Sequence, residues 1–182
     1  MLFSSNVFLF LFLPVVLFGY YVLLRARNHR NIFLLFASLG FYAWGEPRFV
    51  FVMLLSIVCN WGLGLLTARY SDNKRKSRAV VVLALFVNFS IIFVFKYLMF
   101  TFENINRITG SAIPVPQILL PIGISFFTFQ AVSYVLDVYR KDAEPQQSLL
   151  NVALYIAMFP QLIAGPIVRY KTVAEQIERR RE

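Results

Sequence analysis

Residues 79–97 read AVVVLALFVNFSIIFVFKY, and the run carries no charge before Lys96. A helix that crosses a membrane needs about 20 mostly apolar residues, within a range of about 17–25. A half-buried strand would instead alternate apolar and polar residues, and this run does not alternate. The stretch therefore predicts a membrane-spanning α-helix.

Five more apolar stretches accompany this run along the chain. They are Phe3–Leu24, Asn31–Trp44, Phe49–Leu66, Ile118–Tyr139 and Leu149–Val168. The first has no basic residue before it and no small-residue cleavage site after it, so we interpret it as a retained anchor and not as a signal peptide. The sequence thus predicts an all-α, polytopic transmembrane protein with about six apolar segments, of which the second is short and the last is interrupted.

The composition supports a membrane protein. Of 182 residues, 59% are apolar and only 15% are charged, whereas a soluble domain has about 45–50% apolar and about 25% charged residues. The 20 Phe and 9 Tyr exclude a disordered chain. One Cys and one His provide neither a disulfide nor a His/Cys metal cluster, and no soluble docking surface for nucleic acid is evident.

The basic residues predict the orientation, because cytoplasmic connections are enriched in Lys and Arg. The first, third and fifth connections are basic, whereas the second and fourth hold Arg48 and Arg107 alone. We therefore expect an extracytoplasmic amino terminus and cytoplasmic odd-numbered connections. The residues of those connections are Arg25, Arg27, Arg30, Arg69, Lys74, Arg75, Lys76, Arg78, Arg140 and Lys141.

The sixth stretch departs from this pattern. It contains Pro160, Gly165 and Pro166, and a plain crossing would carry a tail with five basic residues outside. Broken helices are tolerated at membrane depth where protein or a water-filled cavity surrounds them. We expect residues 158–167 to form a re-entrant or kinked element that lines a cavity and returns the tail to the cytoplasm; an ordinary kinked span remains the alternative.

The tail itself has helical features. Thr172 and Glu175 have the spacing of a capping box, which starts a helix. Residues 172–182 are therefore predicted to form a charged amphipathic helix at the membrane surface.

One face of the fifth stretch is polar. Gln130, Ser133, Tyr134, Asp137 and Lys141 recur at helical spacing, and an ionisable group inside a membrane helix suggests a functional site. Two interpretations of Asp137 stay open: it lines a cavity, or it forms a boundary ion pair with Arg140 or Lys141. The candidate cavity-lining residues are Gln130, Ser133, Tyr134, Asp137, Pro160, Gln161, Gly165 and Pro166.

Other isolated polar residues have simpler explanations. Asn60 and Asn88 are expected to form hydrogen bonds between helices. Gly123 and Ser125 are expected to let neighbouring helices approach closely. His29 stands among arginines in a connection, which favours a solvated or headgroup-facing side chain over a general base.

Two long motifs carry a resemblance to a known family. LPIGISFFTFQ at residues 120–130 continues through Ser133, Tyr134 and 137–140, and FPQLIAGPIVRY occupies residues 159–170. The openings MLFSS at 1–5 and FYAWG at 41–45 add to them. The chain resembles the membrane-bound O-acyltransferase family, in its bacterial alginate O-acetyltransferase branch, along essentially its whole length.

The resemblance implies an activity. Residues 1–182 are expected to be the amino-terminal part of an inner-membrane enzyme that moves acetyl groups from a cytoplasmic donor to an exported polysaccharide, such as alginate. The donor would be a substrate, either acetyl-CoA or another acetyl carrier, and no bound cofactor or metal is expected. The expected partners are membrane lipid, the carboxy-terminal remainder of the enzyme and extracytoplasmic polysaccharide-acetylation proteins.

The family's catalytic His lies in a later apolar segment, beyond residue 182, and His29 does not match its motif. No catalytic residue is therefore assigned in this chain, which is expected to be inactive alone. Two alternatives stay open: half of a transporter, whose sites use discontinuous helices, and a noncatalytic membrane scaffold.

Overall fold

The computed structural model describes residues 5–23, 26–162, 165 and 168–179, and these residues form helices and connections with no strand. The helices are α1 (Leu13–Phe18, between π-helical turns at Phe8–Phe12 and Gly19–Leu23), α2 (Arg27–Gly45), α3 (Val50–Arg69), α4 (Lys74–Ile92), α5 (Leu98–Thr109), α6 (Ile124–Tyr139), α7 (Leu149–Ala157), α8 (Phe159–Leu162) and α9 (Tyr170–Arg179). The all-α prediction is confirmed for these residues.

Two helices in the described part of the chain are long and apolar enough to cross a membrane. One is α3, and the other is a continuous helix, Lys74–Thr109, in which a π-helical turn at Phe93–Tyr97 joins α4 to α5. Phe8–Val22 and Ile124–Tyr139 are apolar but shorter. Large apolar side chains point outward from these helices, among them Phe51, Phe86 and Phe100. Such a surface suits lipid, and the chain is a membrane protein.

Three helix boundaries differ from those expected. The fourth stretch was predicted to end at Tyr97, but the helix continues to Thr109, where Gly110 in the left-handed conformation terminates it. The fifth begins at Ile124 and not at Ile118, because Pro121 lacks an amide donor and Gly123 is left-handed. The final helix begins at Tyr170, two residues before the predicted cap at Thr172.

The main core forms where α3, α4 and α6 pack against one another. Asn60 of α3 and Asn88 of α4 are fully buried and bond each other reciprocally: Asn60 Nδ2 donates to Asn88 Oδ1 over 3.1 Å, and Asn88 Nδ2 donates to Asn60 Oδ1 over 2.7 Å. The prediction of interhelical hydrogen bonds is therefore confirmed for this pair.

The close approach of α3 to α6 depends on a glycine. A Cβ added to Gly64 would overlap the ring of Tyr134, which is fully buried against it. Gly62, half a turn away, has open space at the same position. The two helices therefore pack through Gly64, as small residues allow in membrane helices.

A second, smaller core is aromatic. Phe8 and Phe12 of the first π-helical turn pack against Phe41 of α2 and Phe159 of α8, with ring centroids 5.3–6.2 Å apart. This cluster brings the beginning of the first helix to the end of α2. It also fixes α8 at that same end of the molecule.

The opposite end of the molecule collects the basic residues. Asn31 of α2 donates to the Ile177 carbonyl of α9 over 3.1 Å, and the Lys171 amide of α9 donates to Asp137 of α6 over 3.1 Å. The start of α2, the end of α6 and α9 therefore lie together. The described residues at this end include Arg30, Arg69, Lys74, Arg75, Lys76, Arg78, Arg140, Lys141, Arg169 and Lys171.

Candidate functional site

The break after α7 is the first feature of the site. Helix α7 ends at Ala157, and Met158 adopts an extended conformation (φ −56°, ψ 117°) before the short helix α8. The Phe159 amide, which a continuous helix would bond internally, donates to Ser38 Oγ of α2 over 3.2 Å. The predicted interruption at residue 158 is therefore confirmed, and α2 supplies the partner that the break requires.

The two sequence motifs meet at Gly123. This residue has φ +77°, and a Cβ built on it would lie 2.6 Å from the backbone oxygen of Leu162 in α8. Two turns further along α6, Gln130 Nε2 donates to Gln161 Oε1 over 2.9 Å. The motif around residues 120–130 therefore packs directly on the motif that begins at Phe159.

Helix α9 begins against the polar face of α6. The Tyr170 amide donates to Ser133 Oγ over 3.4 Å, and the Lys171 amide donates to Asp137 Oδ2 over 3.1 Å. The first amides of a helix have no partner within it, and a carboxylate there also interacts favourably with the helix dipole. Ser133 and Asp137 therefore act as the amino-terminal cap of α9.

Two tyrosines complete this junction. Tyr155 of α7 donates its hydroxyl to the Val168 carbonyl over 2.7 Å, and the ring of Tyr170 packs edge-on against those of Tyr134 and Tyr155. Gln146, just before α7, donates from Nε2 to the Tyr170 hydroxyl over 3.4 Å, so the chain that left this end of the molecule as α7 has returned to it at Tyr170.

The structure answers the question that the sequence left open for Asp137. Its side chain is only 2% exposed, and within the described residues it makes no ion pair with Arg140 or Lys141. Lys141 does not share the polar face, since it follows the end of α6 with φ +60°. The boundary ion pair is therefore wrong: Asp137 binds a backbone amide, and it also borders a cleft.

This cleft, which we call the α6 groove, has a volume of about 400 Å³. Phe129, Val132 and Leu136 form its apolar wall. Ser133, Asp137, Arg140 and Arg169 form its polar part. It runs along one side of α6 and ends at the basic end of the molecule.

The other candidates lie around the break. Gln130 and Tyr134 are buried, Pro160 is exposed in α8, and Gln161 is half-buried. Gly165 lies close to the backbone of the preceding turn, since an added Cβ would be 2.7 Å from Gln161 Cα. Pro166 lies outside the described residues. The structure thus brings Gln130, Ser133 and Asp137 of α6 against one broken segment, to which Gln161 itself belongs.

Three residues of the candidate site were not predicted from the sequence. Ser38 and Tyr155 bind the backbone of the broken segment, and Arg169 lies in the α6 groove. Ser38 is the one serine in the middle of the apolar stretch 31–44, and that position was the only available signal. Nothing local identifies its partner, which lies 121 residues away.

Comparison with known proteins gives a consistent set of relatives. The chain is 41% identical, over 99% of its length, to a probable alginate O-acetylase AlgI of Pseudomonas aeruginosa, and 40% identical to that of Azotobacter vinelandii. It is 32% identical, over 98% of its length, to a peptidoglycan O-acetyltransferase of Helicobacter pylori. The chain spans 35%, 36% and 39% of these relatives. No family model and no solved structure matches it.

Proposed function

We propose that the chain belongs to the membrane-bound O-acyltransferases, since alginate O-acetylases are among its relatives, and that the complete protein transfers acetyl groups to hydroxyls of an exported polysaccharide. The observation that carries this proposal is the identity along 99% of the chain. The packing of residues 120–130 on the motif from Phe159 supports it, because the two longest matching motifs form one structural unit.

Residues 1–182 form the amino-terminal part of this enzyme, and their role is to position the elements that border its site. Helix α6 and the break at Met158 border the interior where donor and acceptor meet. Gln130, Ser133 and Asp137 position the broken segment, Gln130 by its bond to Gln161 within that segment. The catalytic His belongs to the carboxy-terminal remainder. The 182 residues alone are therefore inactive, because a general base must lie within hydrogen-bonding reach of the hydroxyl that it activates.

The protein is a multi-pass protein of the bacterial inner membrane with a periplasmic amino terminus. Ten described Lys and Arg residues lie at one end of the helices, and they support this orientation because basic residues are enriched on the cytoplasmic side of a membrane protein. The six apolar segments include the last as a re-entrant element, which is consistent with the return of the chain at Tyr170 to Gln146, just before α7 begins. Helix α9 lies at the cytoplasmic surface.

Donor and acceptor reach the site from opposite sides of the membrane. The donor is acetyl-CoA or another acetyl carrier of the cytoplasm. The acceptor is alginate, favoured over peptidoglycan because identity to the alginate O-acetylases is 37–41% against 32%. Extracytoplasmic polysaccharide-acetylation proteins then complete the delivery of acetyl groups to the polymer.

Complementation tests the activity. The complete protein is expressed in an alginate-producing bacterium that lacks its own O-acetylase, and the acetyl content of purified alginate is measured by proton NMR. We expect acetylation to return with the complete protein and to stay absent with residues 1–182 alone. Acetylated peptidoglycan with unmodified alginate would identify peptidoglycan, and not alginate, as the acceptor. Solute flux into vesicles without acetylation of either polymer would instead support a transporter.

Cysteine labelling tests the orientation separately. Cys59 is replaced by Ser, and a single cysteine is introduced by Ser71→Cys, between α3 and α4, or by Ala112→Cys, after α5. Both positions are exposed. An impermeant maleimide applied to intact spheroplasts should label Ala112→Cys and spare Ser71→Cys. The reverse pattern would invert the topology and leave the activity result unaffected.

A further inference from the structure

The α6 groove combines an apolar wall with a cationic end. Phe129, Val132, Leu136 and Arg140 recur three or four residues apart, so they form one stripe along α6. At a rise of about 1.5 Å per residue, this stripe is roughly 16 Å long. Phe129 is 38% exposed and Leu136 is half-buried, whereas Val132 between them is buried, so the apolar wall is accessible mainly at Phe129 and Leu136.

The charges of the groove are unbalanced. Arg140 and Arg169 are both exposed, and neither has an ion-pair partner among the described residues. Among the described residues, the only carboxylate bordering the groove is that of Asp137, which is 2% exposed and bound to the Lys171 amide. The two guanidinium groups therefore leave the groove with one positive charge in excess.

We propose that the α6 groove binds one anionic phospholipid. The phosphate lies between Arg140 and Arg169, and an acyl chain follows Phe129, Val132 and Leu136 toward the middle of the membrane. Guanidinium groups suit this ligand because their planar donors form paired hydrogen bonds with phosphate oxygens. Basic pockets between membrane helices bind anionic headgroups in the same manner.

The shape of the groove favours a lipid over a soluble phosphate, because a soluble anion would occupy only the arginine end and leave the apolar wall uncovered. Another protein segment could cover the groove only if it supplied carboxylates to both arginines, because burying two guanidinium groups without a counter-charge costs several kcal/mol per ion. A phospholipid places its phosphate at the arginine end and an acyl chain along the apolar wall. The proposal requires only the membrane location of α6 and holds whichever polymer the enzyme acetylates.

Native mass spectrometry of the complete protein tests the proposal. The protein is purified in detergent with equimolar phosphatidylglycerol and phosphatidylcholine, and bound lipid is counted per chain. We expect one retained phosphatidylglycerol, and a loss of about tenfold or more in its retention for the double variant Arg140→Gln/Arg169→Gln, as expected when two cationic side chains beside an anionic headgroup are removed. Arg140→Lys/Arg169→Lys should give an intermediate result, because lysine keeps the charge without the paired geometry.

The matched control is Arg75→Gln/Arg78→Gln, which removes the same charge from the exposed first turns of α4. This variant should keep the lipid, and the thermal unfolding midpoint should be unchanged in both double variants. Equal loss in both would show that only surface charge attracts lipid and would overturn the proposal. Displacement of the lipid by added coenzyme A would also overturn it and assign the groove to a soluble phosphate. Because bound lipid is the readout, failure here is distinguishable from failure of the acetylation assay.

Discussion

The core of α3, α4 and α6 and the broken segment from Met158 to Lys171 use polar side chains in opposite ways. In the core the helices are continuous, and Asn60 and Asn88 bond each other from neighbouring helices. In the broken segment Ser38 and Asp137 bond backbone amides, those of Phe159 and Lys171. Polar residues thus hold intact helices together in one region and replace missing helical hydrogen bonds in the other.

This difference predicts where the molecule is sensitive to mutation. A broken helix inside a membrane is stable only while every freed backbone group keeps its partner. The core instead depends on close packing, because lipid offers little hydrophobic driving force for helix association. Variants in the two regions should therefore lose stability for different reasons.

Gly123→Ala should be the most damaging of these variants. The left-handed conformation costs an L-residue about 1–2 kcal/mol, and the new Cβ would lie 2.6 Å from the Leu162 oxygen, for a total of about 3 kcal/mol. Thermal unfolding of the complete protein in detergent measures the loss. Gly110→Ala is the matched control, because Gly110 has φ +65° with open space around it, and it should cost only about 1 kcal/mol. Equal effects would mean that the contact between the two motifs contributes nothing.

Gly64→Ala tests the packing of the core. The added methyl group overlaps the ring of Tyr134, so α3 and α6 must separate or the ring must move, at about 2 kcal/mol. The same unfolding measurement applies. Gly62→Ala has open space and should be neutral or slightly stabilising, because alanine is the better helix former. An unchanged unfolding midpoint for Gly64→Ala would show that the close approach of α3 and α6 does not depend on Gly64.

Asp137→Ala tests the replacement of helical hydrogen bonds by side chains. Removing the cap frees the Lys171 amide and should destabilise α9 locally by about 1–2 kcal/mol. Hydrogen exchange followed by mass spectrometry should show faster exchange in residues 170–179 and unchanged exchange in α3 and α4. Asp142→Ala is the matched control: Asp142 contacts Lys171 only through an exposed ion pair at 3.7 Å, which is worth little. Similar exchange in both variants would contradict the capping role.

The sequence predicted the parts of this comparison that follow from local periodicity. The spacing of Gln130, Ser133, Tyr134 and Asp137 placed them on one helical face, and the Pro and Gly residues after Met158 marked the break. The side chains that bond the freed backbone groups were not predictable. Ser38, for example, is distant in sequence from Phe159, and their contact depends on the packing of α2 against α8. The helix beyond Tyr97 was missed for a different reason: hydropathy falls there, but loss of apolar character does not by itself end a helix.

A double-mutant cycle on Asn60 and Asn88 should give a smaller effect. Asn60→Ala, Asn88→Ala and the double variant remove the reciprocal pair stepwise, and we expect a coupling energy of about 1 kcal/mol, within the range found for hydrogen bonds between membrane helices. Each amide also donates to a carbonyl of its own helix, so each single variant loses that bond as well. Unfolding midpoints of the four proteins provide the measurement. A coupling energy of zero would leave packing alone to hold α3 against α4.

Lys141→Gly should have a small effect, and that effect should be stabilising. Lys141 follows the last turn of α6 with φ +60°; its amide donates to the Val138 carbonyl, and the next amide, of Asp142, donates to that of Asp137, which together form a Schellman motif. Glycine is the usual residue at this position because it has no Cβ to strain. The gain should be only about 0.5 kcal/mol, because glycine also makes the unfolded chain more flexible. A rise in the unfolding midpoint without faster exchange in α9 would show that the end of α6 is strained independently of the Asp137 carboxylate, whereas a fall would mean that the lysine side chain itself stabilises the junction.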